Sequence, residues 1–263
     1  MRVSSPSLDW PELICSVWSL ENETMKMVGR THSGLQRMRN EDALGFDSTR
    51  AIAVVADGMG GLMAGAEASR IVVDGVLEHL NSADTIDAQR LTAAIAQSHQ
   101  TIVDVSAAKE MTSQMGSTVV IWSGMKERWC AAWVGDSRLY QWHQGTLTQL
   151  SKDHSLAQRM LDSGEVESGV DVESHYGHVL TQGLGLRQPL DPGFCGGELL
   201  ASEAGRAGQR FLLCSDGLSD LVNDAYMAEV LALEDLEAAA ETLLSRALDM
   251  GGHDNISLIL IEP

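Results

Sequence analysis

Acidic residues occupy several positions where a carboxylate is poorly placed for solvation, next to glycine or beside an apolar run. The positions are Glu41 with Asp42, Asp57, Asp136, Asp216 and Asp254. Each of them alone is most often a turn residue or a helix cap. Several carboxylates at one place repel one another unless a cation lies among them, and oxygen ligands suit Mg²⁺ or Mn²⁺. Zinc is less favoured, because the sequence has no H-E-x-x-H motif and no Cys/His ligand set.

Two of these carboxylates follow apolar runs that predict buried strands. Segment 51–56 is apolar and rich in β-branched residues, and it ends at Asp57 and Gly58. Segment 210–215 ends in the same way, at Asp216 and Gly217. A glycine at a strand end lets backbone or ligand approach closely, so both positions are candidate ligand sites.

The other two strand-end carboxylates lie between or before β-like runs. Asp136 separates the runs 129–134 and 138–142, and Asp254 comes immediately before a final apolar strand at 256–261. The sequence therefore places at least four carboxylates at strand ends.

The remaining pattern predicts helices that cover sheets. Apolar residues in 73–80 recur at helical spacing, 87–110 is rich in Ala and Gln, and 236–247 again has one apolar face. The glycine-punctuated runs of 117–150 predict an antiparallel meander, whereas the polar segment 152–193 predicts a short helix and then an irregular excursion. This order favours one α+β domain over a doubly wound parallel sheet.

Composition excludes several classes of function. The 263 residues carry 18 Lys and Arg against 37 Asp and Glu, a net charge of −19 that disfavours nucleic acid and anionic membranes. The sequence has no apolar run of about 20 residues and no signal-peptide pattern, and its four cysteines form no C-x-x-C pair. We expect a cytoplasmic protein with reduced thiols, no membrane span and no disulfides.

Six short motifs occur in a fixed order over residues 28–262. They are Arg37-Met-Arg-Asn-Glu-Asp42, Asp57-Gly-Met-Gly-Gly61, Gly116-Ser-Thr118, Gly135-Asp-Ser-Arg138, Ser215-Asp-Gly217 and Asp254-Asn255. Together they resemble the bacterial form of the metal-dependent Ser/Thr protein phosphatases, the PPM (type 2C) family. This resemblance implies a four-layer α-β-β-α sandwich of two antiparallel sheets flanked by helix pairs. It implies a catalytic domain over 25–263 with a flap at about 152–193, and it leaves 1–24 as an extension of unknown role.

The resemblance also implies a set of cation ligands for two Mn²⁺ or Mg²⁺ ions. Asp57 would bridge both ions, the Gly58 carbonyl and Glu41 would complete one site, and Asp216 and Asp254 the other. Asp136 would hold a third ion together with Asp216.

Arg37 would bind the substrate phosphate, and Asp57 and Asp216 would take part in catalysis through the cations. Asp42 and Asn255 would lie behind the ligands. Met59 stands where many eukaryotic members carry a His proposed as general acid, so we assign no protein general acid. We expect His154, His175 and Arg39 to have structural or surface roles, and Met38 to be a packing residue.

The activity implied by the resemblance is hydrolysis of phosphoserine and phosphothreonine by a metal-activated water, with bacterial phosphoproteins as partners, including a Ser/Thr kinase or its substrates. Two alternatives stay open. One is a pseudophosphatase that binds phosphoproteins without turnover, although every expected carboxylate is present. The other is a phosphatase that acts on anti-sigma-factor antagonists, which the Arg37–Asp42 and Gly135–Arg138 motifs fit less well. The sequence does not indicate the oligomeric state.

Overall fold

The computed structural model of this protein describes residues 25–60, 64–109, 115–125, 127–164, 166, 172–200 and 208–263. The expected 1–24 extension lies outside the described residues, as does Cys15. Cys130, Cys195 and Cys214 are free thiols, as expected.

One antiparallel sheet has the strand order β1-β11-β10-β7-β8. Its strands are β1 (Lys26–His32), β7 (Arg138–His143), β8 (Thr146–Gln149), β10 (Arg210–Cys214) and β11 (Ile256–Glu262). Strands β10 and β11 are apolar and almost entirely buried, because they lie at the centre of this sheet with both faces covered.

The second antiparallel sheet has the strand order β2-β3-β5-β6-β9, and a short strand β4 pairs with the end of β3. Its strands are β2 (Asp42–Asp47), β3 (Ile52–Met59), β4 (Gly116–Ser117), β5 (Val119–Met125), β6 (Arg128–Val134) and β9 (Gly193–Glu198).

The two sheets pack face to face over an apolar core to which both contribute. The Phe211 ring of the first sheet lies between Trp122 and Trp129 of the second, with ring centroids 5.1 and 4.9 Å away. Alternate residues of β3 and β11 point into this core, which is the period-2 pattern of packed sheets.

Helices form the two outer layers. Helices α1 (Ala64–Asn81) and α2 (Ala88–Ala108) bury their apolar faces on the second sheet. The first sheet is covered by α5 (Asp216–Ser219), α6 (Asp224–Val230) and α7 (Leu236–Asp249). The predicted four-layer α-β-β-α sandwich is therefore confirmed.

The flap segment, residues 152–193, contains α3 (Leu156–Ser163) and α4 (Glu173–Tyr176) in its described part. Helix α3 begins with Ser155 as N-cap and ends at Gly164 in a left-handed conformation. The isolated bridge between Ser117 and Leu184 connects the segment to β4, and a second bridge, between Ser155 and Leu180, joins two parts of the segment to each other. Among the described residues, no helix is long and apolar enough to cross a membrane.

Candidate metal centre

Antiparallel pairing brings the strand-end carboxylates to one end of the sandwich. In the second sheet Asp42 at the start of β2 is paired with Asp57 near the end of β3, so the two side chains share one face. In the first sheet β10 leads into Asp216, and Asp254 precedes its neighbour β11. The charge of Asp216 raises the pKa of Asp57, so the carboxyls of the two sheets lie near each other at this point.

Burial and mutual repulsion raise the pKa values of these carboxyls. Burial, with the charges of Asp216 and Asp254, raises the pKa of Asp42 to about 7, despite the hydrogen bond from the Ser215 hydroxyl at 2.7 Å. Burial raises the pKa of Asp216 to about 6, with the charges of Asp220 and Asp254 adding to the effect. The pKa of Asp57 is raised well above its usual range by burial and by Asp42 and Asp216.

Several carboxylate oxygens at this end have no protein donor within the described part of the chain. Asp42 Oδ1 and Asp216 Oδ1 are both buried and unpaired. A buried acceptor without a donor costs free energy. Clusters of carboxylate oxygens of this kind act as ligands of divalent cations. The chemistry of the donor set therefore fits Mg²⁺ or Mn²⁺.

Glu41 and the Gly58 carbonyl converge on the same side of Asp57. A Cβ on Gly65 would lie 2.7 Å from the Gly58 carbonyl oxygen and 2.9 Å from the Glu41 carboxyl carbon. Any larger residue at Gly65, near the start of α1, would displace these two oxygen groups. A backbone carbonyl and a carboxylate are thus placed together, as the family pattern implies for one cation.

Asn255 positions the loop that carries Arg37 and Glu41. Its side-chain amide donates to the Ser33 carbonyl at 2.9 Å and the Arg39 carbonyl at 2.8 Å. Its side-chain oxygen accepts from the Glu41 N–H at 2.7 Å. One buried side chain therefore satisfies three backbone groups of this loop.

Arg37 reaches the acidic cluster from the same loop. Its guanidinium donates to Asp254 Oδ2 at 2.6 Å, while more than half of its side chain stays exposed. This hydrogen bond raises the pKa of Arg37 further above its usual value. The guanidinium is thus positioned at the rim of the cluster, where it faces solvent and carboxylates at once.

The loop that carries Asp136 is linked to the backbone of Asp57 through two hydroxyl groups. The Thr118 hydroxyl accepts from the Asp57 N–H at 2.9 Å and lies 2.7 Å from the Ser137 hydroxyl. Burial and the nearby charge of Asp216 raise the pKa of Asp136 well above its usual range. The loop from Gly135 to Arg138 therefore carries Asp136 close enough to Asp216 for the two charges to interact.

The residues that we expect to have structural or surface roles lie outside the carboxylate cluster. His154 Nδ1 accepts from the Gly135 N–H at 3.2 Å, and burial lowers the pKa of its imidazole. Met59 lies within packing distance of Gly116 and Gly183, whereas His175 and Arg39 are exposed. Met38, which the sequence suggests as a packing residue, is instead fully exposed, because its loop runs along the surface.

A cavity of 340 Å³ adjoins Asp136 and Asp216, and several of its residues were not singled out from the sequence. They are Asp153, Gly177, His178, Ser219 and Asp220. Asp220 follows Asp216 by four residues, so helical spacing was a usable signal for it. His178 had no such signal, since only the fold of the flap segment brings it near Asp216.

The fold and the carboxylate cluster together have the arrangement that the six motifs imply for metal-dependent phosphatases. The chain matches the sequence profile of the family described as Protein phosphatase 2C over residues 28–249. It is 31% identical over 242 residues to the serine/threonine protein phosphatase PstP of Mycobacterium tuberculosis, covering 90% of this chain but 45% of that protein. The chain thus spans about half the length of this relative.

One further relative and one solved catalytic domain align over nearly their whole length. The serine/threonine phosphatase stp of Listeria welshimeri is 32% identical over 243 residues, which cover 89% of this chain and 94% of that protein. A crystal structure of the PstP catalytic domain with two manganese ions superposes with a TM-score of 0.78 at 30% identity, over 90% of this chain and 97% of that one. The chain belongs to the protein phosphatase 2C family, and the resemblance drawn from the motifs is confirmed.

Proposed function

We propose that this protein is a Ser/Thr protein phosphatase that hydrolyses phosphoserine and phosphothreonine at a binuclear Mn²⁺ or Mg²⁺ centre. The observation that carries the proposal is the group of mostly half-buried strand-end carboxylates, two of which have a buried unpaired oxygen, beside an exposed arginine at its rim. The names of the relatives and the two manganese ions in the PstP structure support it.

We assign the ligands as the motifs imply. Asp57 would contact both ions, Glu41 and the Gly58 carbonyl one of them, and Asp216 and Asp254 the other, with Asp136 available to a third. When bound, the ions supply a water of lowered pKa as the nucleophile and positive charge for the phosphoryl oxygens.

The protein's own groups would orient the substrate around this centre. The guanidinium of Arg37 can bind two phosphoryl oxygens at once, in exchange for its hydrogen bond to Asp254. Asp42 and Asn255 hold neighbouring groups in place behind the ligands. Met59 stands at the strand end where a histidine could act as general acid. The leaving oxygen would therefore take its proton from water.

The test is hydrolysis of a phosphothreonine peptide and of p-nitrophenyl phosphate with Mn²⁺, with Mg²⁺ and with a chelator. We expect cation-dependent turnover that falls about a hundredfold to a thousandfold in Asp57→Asn and Asp216→Asn. Arg37→Ala should lower kcat/KM by about tenfold to a hundredfold, since a charged hydrogen bond to phosphate is lost. Asp104→Asn, at an exposed site on α2, is the matched control.

The pseudophosphatase alternative predicts a different result. A folded wild-type protein that binds Mn²⁺ and phosphopeptide, yet turns over no substrate, would overturn the proposed activity. The partners we propose are phosphoproteins, among them a Ser/Thr kinase or its substrates. The cytoplasmic location and the assignment of 25–263 as the catalytic domain stay predictions.

A further inference from the structure

The flap segment contributes an imidazole to the acidic cluster. His178 Nδ1 lies 3.6 Å from Asp220 Oδ2. One ligand atom each of His178, Asp216 and Asp220 lie within 4.8 Å of one another. Asp216 and Asp220 come from helix α5 and its C-terminal cap, so two different parts of the fold meet here.

The cavity beside these residues contains polar atoms that no described protein group satisfies. Asp216 Oδ1 and Ser219 Oγ are both buried without a hydrogen-bond partner among the described residues, and both side chains line the cavity. Asp136 lines it as well. The Arg138 guanidinium on the cavity wall donates to Asp153 Oδ2 at 2.6 and 2.9 Å, so its charge is already matched by a carboxylate.

The acids here outnumber the cations. Asp136, Asp216 and Asp220 face the cavity together with Asp153, against the Arg138 guanidinium and the His178 imidazole. These acids outnumber the basic groups of the lining, so the cavity lacks positive charge. A divalent cation in the cavity would supply that charge and the missing partner of Asp216 Oδ1.

We propose that His178, Asp216 and Asp220 form a cation site with one imidazole nitrogen and carboxylate oxygens, which binds a divalent transition-metal ion in preference to Mg²⁺. The proposal rests on the proposed function for the shared residue Asp216, and it adds His178 and Asp220 to the residues expected around a third ion. Mg²⁺ takes oxygen ligands almost exclusively, whereas an imidazole favours first-row transition metals. Occupation of this site would also join the flap segment to α5.

The test uses Mn²⁺ as the probe, added stoichiometrically to the full chain. Pulsed electron paramagnetic resonance detects a nitrogen nucleus bound to Mn²⁺. We expect nitrogen modulation in the wild-type protein, its loss in His178→Gln and its retention in His175→Gln, the matched flap variant three residues earlier. Asp220→Asn should weaken Mn²⁺ binding at this site about tenfold. Mg²⁺ should compete poorly with Mn²⁺ in the wild-type protein and more strongly in His178→Gln.

The outcomes separate this inference from the proposed function. Wild-type protein without nitrogen modulation, or modulation that persists in His178→Gln, would overturn the imidazole site, whatever the phosphatase activity. Nitrogen modulation in a protein without cation-dependent hydrolysis would contradict the proposed function alone. His178 is largely exposed, so the His178→Gln chain should unfold at the wild-type temperature, which thermal denaturation checks.

Discussion

At the scale of single residues, the structure separates side chains that would touch cations from side chains that fix the positions of others. Asn255 belongs to the second kind, because its three hydrogen bonds hold the backbone on both sides of Arg37. The close approach at Gly34 has the same effect, since a Cβ there would lie 2.1 Å from the Asp254 carbonyl oxygen. The loop from 33 to 41 therefore keeps its place relative to Asp254 through a small number of contacts.

Replacing Asn255 with alanine should weaken both the fold and the cation site. Asn255→Ala leaves three backbone groups without partners, so we expect the free energy of unfolding to fall by about 2–4 kcal/mol. Mn²⁺ affinity should fall about tenfold, because Glu41 and Asp254 lose their relative position. Denaturant titration and Mn²⁺ titration measure the two effects.

Asn223→Ala is the control for this substitution. Asn223 caps α6 through the Tyr226 N–H, so its loss should cost about 1 kcal/mol and leave Mn²⁺ affinity unchanged. An Asn255→Ala protein with wild-type Mn²⁺ affinity would contradict the positioning role of Asn255.

Most single residues of the proposed site could be singled out from the sequence, and the reason is local. Carboxylates that follow apolar runs and precede glycine can be recognised without knowing the fold. His178 could not be recognised, since it approaches Asp216 only when the flap segment folds against α5. Met38 was wrongly assigned to packing, because an apolar residue between two arginines gives no sign of the direction in which its loop exposes it.

At the scale of elements, antiparallel pairing explains why a dispersed set of acids becomes one cluster. The start of one strand lies beside the end of its neighbour, so Asp42 meets Asp57 and Asp254 lies near Asp216. The strands β1 and β9 were missed for a physical reason. Both contain polar residues or glycines that weaken strand patterns, and they form only because a partner strand pairs with them.

The Arg138–Asp153 pair joins the loop of Asp136 to the start of the flap segment. Arg138 donates three hydrogen bonds to the Asp153 carboxylate, which is almost fully buried. Asp153→Asn should lower the free energy of unfolding by about 3–5 kcal/mol, because the buried guanidinium loses its counter-charge. Urea denaturation measures the change.

The neighbouring pair of Lys152 and Asp162 provides the matched control, because both of its side chains are exposed. Asp162→Asn should cost less than about 1 kcal/mol. Equal effects of the two substitutions would show that burial does not strengthen the Arg138 pair.

At the scale of the whole molecule, the net charge of −19 no longer argues against a phosphate substrate. Six of the acids belong to the proposed cation site; they are Glu41, Asp42, Asp57, Asp136, Asp216 and Asp254. Two divalent cations would contribute four positive charges where the phosphate binds, which offsets most of the negative charge of these acids. The remaining excess is spread over the surface, where it favours solubility and positively charged partners.

The stability of the cation-free protein should depend on pH in an unusual direction. The folded-state pKa values of Asp42, about 7, and Asp216, about 6, lie above the ordinary value of 3.8. Between about pH 4 and pH 7 the folded state binds more protons than the unfolded state, so the free energy of unfolding falls as pH rises. In chelator we expect a loss on the order of a few kcal/mol between about pH 5 and pH 8.

Added Mn²⁺ should remove this loss, because the cation replaces the protons that the carboxyls release. Asp42→Asn should flatten the dependence in chelator, since it removes one of the titrating groups. Urea denaturation at each pH gives the free energies. A stability in chelator that stays level or increases towards pH 8 would contradict the pKa shifts.

The surface charge should also appear in substrate preference. At low salt, a phosphopeptide flanked by Lys or Arg should have a kcat/KM about tenfold above that of the same peptide flanked by Asp or Glu. The ratio should approach one as salt shortens the Debye length to about 8 Å and below. Equal rates at low salt, or a ratio that does not change with salt, would count against long-range attraction.

Because the acids lie at strand ends, the geometry of the proposed cation site depends on the correct register of the strands. Side chains alternate between the faces of a sheet, so a slip of one residue between β2 and β3 would turn Asp42 and Asp57 apart. A divalent cation that binds the proposed site would then favour correctly paired chains over mispaired ones by mass action. Cation supply during synthesis would thus affect the yield of correctly paired protein.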